Sequence, residues 1–163
     1  MEQSFSHVDH DGNLAMVDVT DKTPTRRVAE ASCVVATTWD VQSLAPSPEG
    51  FDAVVTARLA GIQAAKNTSK LIPLCHPLTL HNIGVEVSNH PRGVKVHSRV
   101  VTVERTGVEM EALVACSFTA LSLMDSLLGQ DHRARIENTH VVTKSGGTSG
   151  EWSHALEDPT VDV

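Results

Sequence analysis

Apolar positions recur with helical spacing most clearly from Thr106 to Leu128, TGVEMEALVACSFTALSLMDSLL. Leu113, Val114, Phe118, Leu121, Met124 and Leu128 follow at three- and four-residue steps, giving the apolar stripe of a core-facing helix. Thr106 followed three residues later by Glu109 has the form of a capping box, so the helix is expected to open at Gly107. Gly129 stands where a C-terminal cap glycine belongs. A second helix is predicted from Asp52, with Val55, Leu59 and Ile62 on one face and Asn67 capping its end. Strand patterns cover Ala15–Thr20, Val28–Thr38, Ile83–Val87, Val94–Arg105 and Ala134–Lys144. The turn NHPRG (Asn89 to Gly93) makes the third and fourth of these an antiparallel hairpin. The order β-β-α-β-β-α-β has no regular strand–helix alternation. It predicts an α+β domain, a mainly antiparallel sheet with both helices on one face.

Composition narrows the picture. A chain of 163 residues is expected to be one domain, large enough for a core without metal or disulfide staples. With two Trp, three Phe and no Tyr, that core must be aliphatic. A net charge of −7 leaves no basic stripe for a general nucleic-acid binder, though a small anionic ligand needs only a few local cations. Cys33, Cys75 and Cys116 are unclustered, as in a cytosolic protein with reduced thiols. No apolar run reaches membrane-spanning length, and MEQSFSHVDHDG is no signal peptide, so a soluble, cytoplasmic protein is expected.

Candidate chemistry is scattered. Glu109, Glu111 and Asp125 are the only ionisable groups of the long helix. Glu111 and Asp125 share a face to within about 40° but lie roughly 21 Å apart along the axis. If both act, they serve different sites or one site built from two subunits. The plain alternative is that the glutamates favour the helix N-terminus and Asp125 is solvated. LIPLCHPL (Leu71 to Leu78) holds Cys75 and His76 stiffly between Pro73 and Pro77, which suits a preordered binding segment. Cys75 is otherwise a small buried hydrophobe. HVDHD (His7 to Asp11) groups metal-ligand types but reads better as a solvated loop. Lys22, Arg26 and Arg27 crowd one turn, and Arg58 and Lys66 are the cations of the first helix; each is a surface charge or a ligand contact. KSGGTSG (Lys144 to Gly150) offers backbone N–H groups to an oxyanion, but without Walker A spacing or a following helix it is no P-loop. An acidic, disordered tail is expected over residues 153–163, after a domain of residues 1–152.

Four segments together resemble one family: MVDVTDK (Met16 to Lys22), ARLAGIQAAKNTSKLIPLCHPL (Ala57 to Leu78), TGVEMEAL (Thr106 to Leu113) and KSGGTSG. They are similar to the cyclic pyranopterin monophosphate synthases, protein C of molybdenum-cofactor biosynthesis, over about Ser6 to Trp152. The resemblance implies a ferredoxin-like domain assembled as a homo-hexamer, a trimer of dimers, with active sites at subunit interfaces. The implied lyase reaction converts 3′,8-cyclo-7,8-dihydroguanosine triphosphate into cyclic pyranopterin monophosphate and pyrophosphate. By the same resemblance Asp125 matches the catalytic aspartate, and Leu74, Cys75, His76, Met110 and Glu111, with Glu109 beside them, match substrate-binding segments. Lys22, Arg27 and Lys144 fall where the family places cations that meet phosphate. No cofactor and no bound metal are implied, although a divalent cation can accompany the triphosphate. The chain departs from the family at Leu128, which replaces the lysine three residues after the aspartate. PEGFD lacks the lysine expected before the Asp52 helix, and Thr148 replaces another. Arg133 and Arg135 are candidate substitutes. These departures leave open a paralogue acting on a related nucleotide or pterin, or a catalytically silent hexameric partner.

Overall fold

The computed structural model describes residues 6–44, 46, 50–147 and 150–154. Its elements are β1 (Thr25–Ala36), α1 (Ala53–Ala65), α2 (Thr68–Leu71), β2 (Leu80–His90), β3 (Gly93–Glu104), α3 (Glu109–Leu127), β4 (Arg135–Ser145) and β5 (Trp152–Ser153). The sheet runs β2-β3-β1-β4-β5, every neighbouring pair antiparallel. Its two interleaved β-α-β units, with both long helices on one face, make the α+β, ferredoxin-like fold expected. The β2–β3 hairpin forms as read, closing through Gly93, whose φ of +133° and contact with the Val35 carbonyl leave no room for a side chain.

Three expectations fail. Ala15–Thr20 forms no strand, because Asp18 accepts hydrogen bonds from the Thr20 amide (2.8 Å) and hydroxyl (2.6 Å), a local turn that competes with sheet pairing. Ser153, expected in the tail, pairs with β4 next to Trp152, and residues 155–163 lie outside the described residues. The third failure concerns which helix faces are buried. On the sheet, Ala29, Ala31, Cys33 and Val35 of β1 and Val94, Val96 and Val100 of β3 alternate inward as period-two strands should. Facing them, α3 buries Ala112, Val114, Ala115, Cys116, Thr119, Ala120, Leu123 and Leu127; of the predicted stripe Val114 is buried and Leu113 and Met124 pack against the core, while Phe118, Leu121 and Leu128 are exposed. Likewise α1 buries Ala53, Ala57, Gly61, Ala64 and Ala65 and exposes Val55 and Leu59.

Small residues are inside because α1 and α3 pack directly on each other. A Cβ on Gly61 would collide with the Thr119 hydroxyl and lie 2.5 Å from the Ala115 carbonyl oxygen. By length and composition alone α3 could cross a membrane, yet it is the core helix of the domain, half buried against sheet and α1. Arg58, left open between surface charge and ligand contact, ties α1 to β2 by donating from Nε to the Val85 carbonyl at 2.9 Å. The C-cap of α1 is Lys66 and not the expected Asn67, which starts α2 and donates from Nδ2 to the Gln63 carbonyl in the last turn of α1 at 2.8 Å.

Helix propensity favours alanine over glycine by about 1 kcal/mol, but overpacking costs about 1–3 kcal/mol, and the Ala115 carbonyl belongs to a rigid helix. Gly61→Ala is therefore expected to lower stability, read as a lower urea midpoint at unchanged slope.

Candidate active site

Two prolines and three anchors shape the LIPLCHPL segment. The Cys75 amide donates to the Ile72 carbonyl at 3.1 Å, closing a turn over Pro73 and Leu74. Thr79 then receives the Thr102 hydroxyl on its carbonyl at 2.6 Å and gives its amide to the Glu104 carboxylate at 3.4 Å. Pinned to β3 in this way, Leu74, Cys75 and His76 stand beside the first turn of α3. With Glu109, Met110 and Glu111 they line a cavity of about 180 Å³. Six of the ten site residues expected from the sequence thus meet in one place.

The start of α3 differs from the predicted capping box. The N-cap is Val108, without a side-chain cap hydrogen bond. Glu109 instead folds back over Gly107, where a Cβ would strike its carboxylate, and pairs with Lys144 of β4 at 3.2 Å. A carboxylate expected to cap the helix is engaged instead in an ion pair at the edge of the cavity.

Glu111 is 4 % exposed. Burial pushes its pKa up to about 7, opposed by a backbone hydrogen bond and helped by the nearby charge of Glu109. Burial, and then the charge of Glu111, also push the Cys75 thiol up, so it lines the wall as a neutral group. His76, Leu78 and Glu111 continue into a second concavity of about 230 Å³ that carries Lys66 and Lys70. On the far side, Glu109 and Lys144 border a hollow of about 460 Å³ with Val141, Glu151 and Trp152. His76 and Glu111 therefore stand between a carboxylate-lined cavity and a lysine-lined one.

The other expected residues are not brought there. Asp125 is exposed near the far end of α3 and makes no hydrogen bond or ion pair among the described residues. Fourteen residues of helix put it roughly 21 Å along the axis from Glu111. Lys22 is exposed in its turn. Arg27 donates to the carbonyls of Glu104 (2.9 Å) and Arg105 (3.0 Å) and packs under Gly147, whose positive φ and missing Cβ make room for the guanidinium. Arg135 pairs with Glu137 at 2.6 Å. Thr148 lies outside the described residues. Among the described residues no three His, Cys, Asp or Glu side chains converge as a metal site. In HVDHD, Asp9 accepts the Asp11 and Asn13 amides, a loop closed on itself.

Sequence reasoning missed His7 and Val17, which wall the cavity from the N-terminal segment. Lys70, in the lysine-lined concavity, was also missed. Nothing in their spacing announced this, since only tertiary folding carries them to the site.

The model of the MoaC family matches residues 16–147. A cyclic pyranopterin monophosphate synthase of Corynebacterium efficiens is 46 % identical over 152 residues, covering 91 % of this chain and 97 % of its own. One of Herpetosiphon aurantiacus is 43 % identical, covering 93 % and 95 %. A cyclic pyranopterin monophosphate synthase 2 of Mycobacterium tuberculosis is 43 % identical, covering 91 % and 90 %.

A carboxyl whose folded pKa lies above its unfolded one holds its proton more tightly when folded. Its contribution to stability is complete below the ordinary value of 4.5 and is lost as pH rises through about 7. Glu111→Gln should remove that loss, on the order of 3 kcal/mol. Urea midpoints at pH 4.5 and pH 8 are the measurement: the wild type should lose more stability between them than the variant.

Proposed function

The chain belongs to the MoaC family, and from that premise we propose that it makes cyclic pyranopterin monophosphate in molybdenum-cofactor biosynthesis. The substrate is 3′,8-cyclo-7,8-dihydroguanosine triphosphate, and pyrophosphate is the second product. Opening the purine-derived ring and rebuilding it as a pterin needs groups that move protons at neutral pH, and the triphosphate needs cations. The observation that carries the reading is the meeting of His76 and Glu111, from segments far apart in sequence, at the boundary of two concavities, one lined by Glu109 and the other by Lys66 and Lys70. With its pKa near 7, Glu111 gives or takes a proton without a large penalty either way.

The charge pattern orients the ligand. The ring lies against Leu74, Cys75, His76, Glu109, Met110 and Glu111, and the phosphates turn toward Lys66 and Lys70, with Lys144 and Lys22 as further cations from the assembled surface. A divalent cation enters, where needed, with the triphosphate. Asp125 acts as the catalytic carboxylate of a site on a neighbouring subunit, a reading supported by its distance from Glu111 within one chain. Support for assembly comes from the large apolar side chains turned outward on both helices, among them Leu59 at 63 % and Leu121 at 52 % exposure. A cytoplasmic homo-hexamer, a trimer of dimers, buries them and brings Asp125 beside another chain's His76. Neither the paralogue nor the silent-partner alternative gains an observation in its favour.

Incubation with the cyclic dihydroguanosine triphosphate should release pyrophosphate and a pterin product; failure of both at high enzyme concentration refutes the proposal. Leu128→Lys, one turn beyond Asp125, should raise turnover by restoring the family's cation. Lys66→Ala should weaken inhibition by pyrophosphate about tenfold or more, the cost of one charge-assisted hydrogen bond. Native mass should correspond to six chains.

A further inference from the structure

His7 sits in a stretch that reads as a solvated terminal loop, but the fold holds it at the cavity. The loop closes on itself: Asp9 Oδ1 accepts the amides of Asp11 (3.0 Å) and Asn13 (2.8 Å), and the Gly12 amide donates to the Asp9 carbonyl at 3.1 Å. Val8 bridges Leu14, and the Ala15 amide donates to the His7 carbonyl at 3.0 Å. This clasp returns the chain so that His7 and Val17 wall one side of the cavity, facing the side built by Cys75, His76 and Glu111.

His7 Nδ1 is buried and has no hydrogen-bond partner among the described residues. A proton there would be a buried donor with no acceptor, which costs more than an idle lone pair, so the neutral ring carries its proton on Nε2. With Nδ1 closed off, the ring meets a ligand through Nε2–H. Across the cavity stand the carboxyl groups of Glu109 and Glu111 and the ring of His76, so His7 adds a donor on the wall opposite them, where the acceptor atoms of a purine- or pterin-type ring can meet it. We propose that His7 is a substrate-contacting residue that donates Nε2–H to a carbonyl oxygen or ring nitrogen of the heterocycle, held in place by the Asp9 loop. The inference rests on the function proposed above and adds a contact to the ring end of the site.

The amide nitrogen of glutamine can occupy the place of Nε2, whereas that of asparagine reaches only the place of Nδ1. His7→Leu and His7→Asn should each weaken binding of cyclic pyranopterin monophosphate, measured by calorimetry, by about 10- to 100-fold and lower kcat/KM to match. His7→Gln should stay within about threefold of wild type. Circular dichroism and native mass should be unchanged in all three, and a purely structural role for the ring would not separate Gln from Asn. If the wild type turns over and His7→Leu binds and reacts equally well, the inference falls and the function stands. It falls in the same way if the Asn and Gln variants behave alike. A wild type that neither turns over the substrate nor binds the product refutes the function, and this contact with it.

Discussion

The close approach of α1 to α3 governs the geometry of everything above the sheet. Gly61 lies against the Ala115 carbonyl and the Thr119 hydroxyl, and no larger residue fits between the helices. Once the helices meet through glycine and alanine, the sheet receives the remaining small face of α3, where the Ser98 hydroxyl donates to the Ala112 carbonyl at 2.7 Å. That contact lies next to Glu111, so the depth at which the carboxyl is buried follows from how tightly α3 is seated. The raised pKa of Glu111 is in this sense a product of helix packing.

Packing small faces inward leaves large ones outside. Phe118, Leu121 and Leu128 on α3 and Val55 and Leu59 on α1 remain exposed in the single chain. A monomer gains little from such a surface, whereas an oligomer gains the burial energy of every side chain it covers. Asp125 stands among these residues, away from its own chain's cavity. The same arrangement that exposes apolar surface also leaves this carboxylate on the outer face of α3.

Within one chain, charge is sorted across a short distance. Glu109 is neutralised in part by Lys144, Glu111 by taking up a proton, and Lys66 and Lys70 remain on the other side of His76. Such sorting keeps the uncompensated carboxylate charge low at one end of the site and leaves its lysines at the other. It also shows how an acidic protein can offer a cationic concavity, since net charge sets the far field and a few lysines set the near one.

Local patterns in the sequence determined much of this protein. The hairpin through NHPRG, both long helices, the non-helical LIPLCHPL segment and the antiparallel α+β class all follow from periodicity, proline and turn chemistry, which act over a few residues. The motifs also identified the two segments that meet in the cavity. Which helix face is buried could not be read in this way: a stripe of leucines looks like a core face whether it meets the chain's own sheet or another subunit. The capping box at Thr106 was likewise legible, but Lys144, thirty-five residues after Glu109, competed successfully for the carboxylate. Only the tertiary structure decided that His7 joins the site, that Arg27 is occupied with backbone carbonyls, and that Asp125 is remote from Glu111. Those outcomes depend on distances between residues far apart in the chain, and spacing along a sequence carries no record of them.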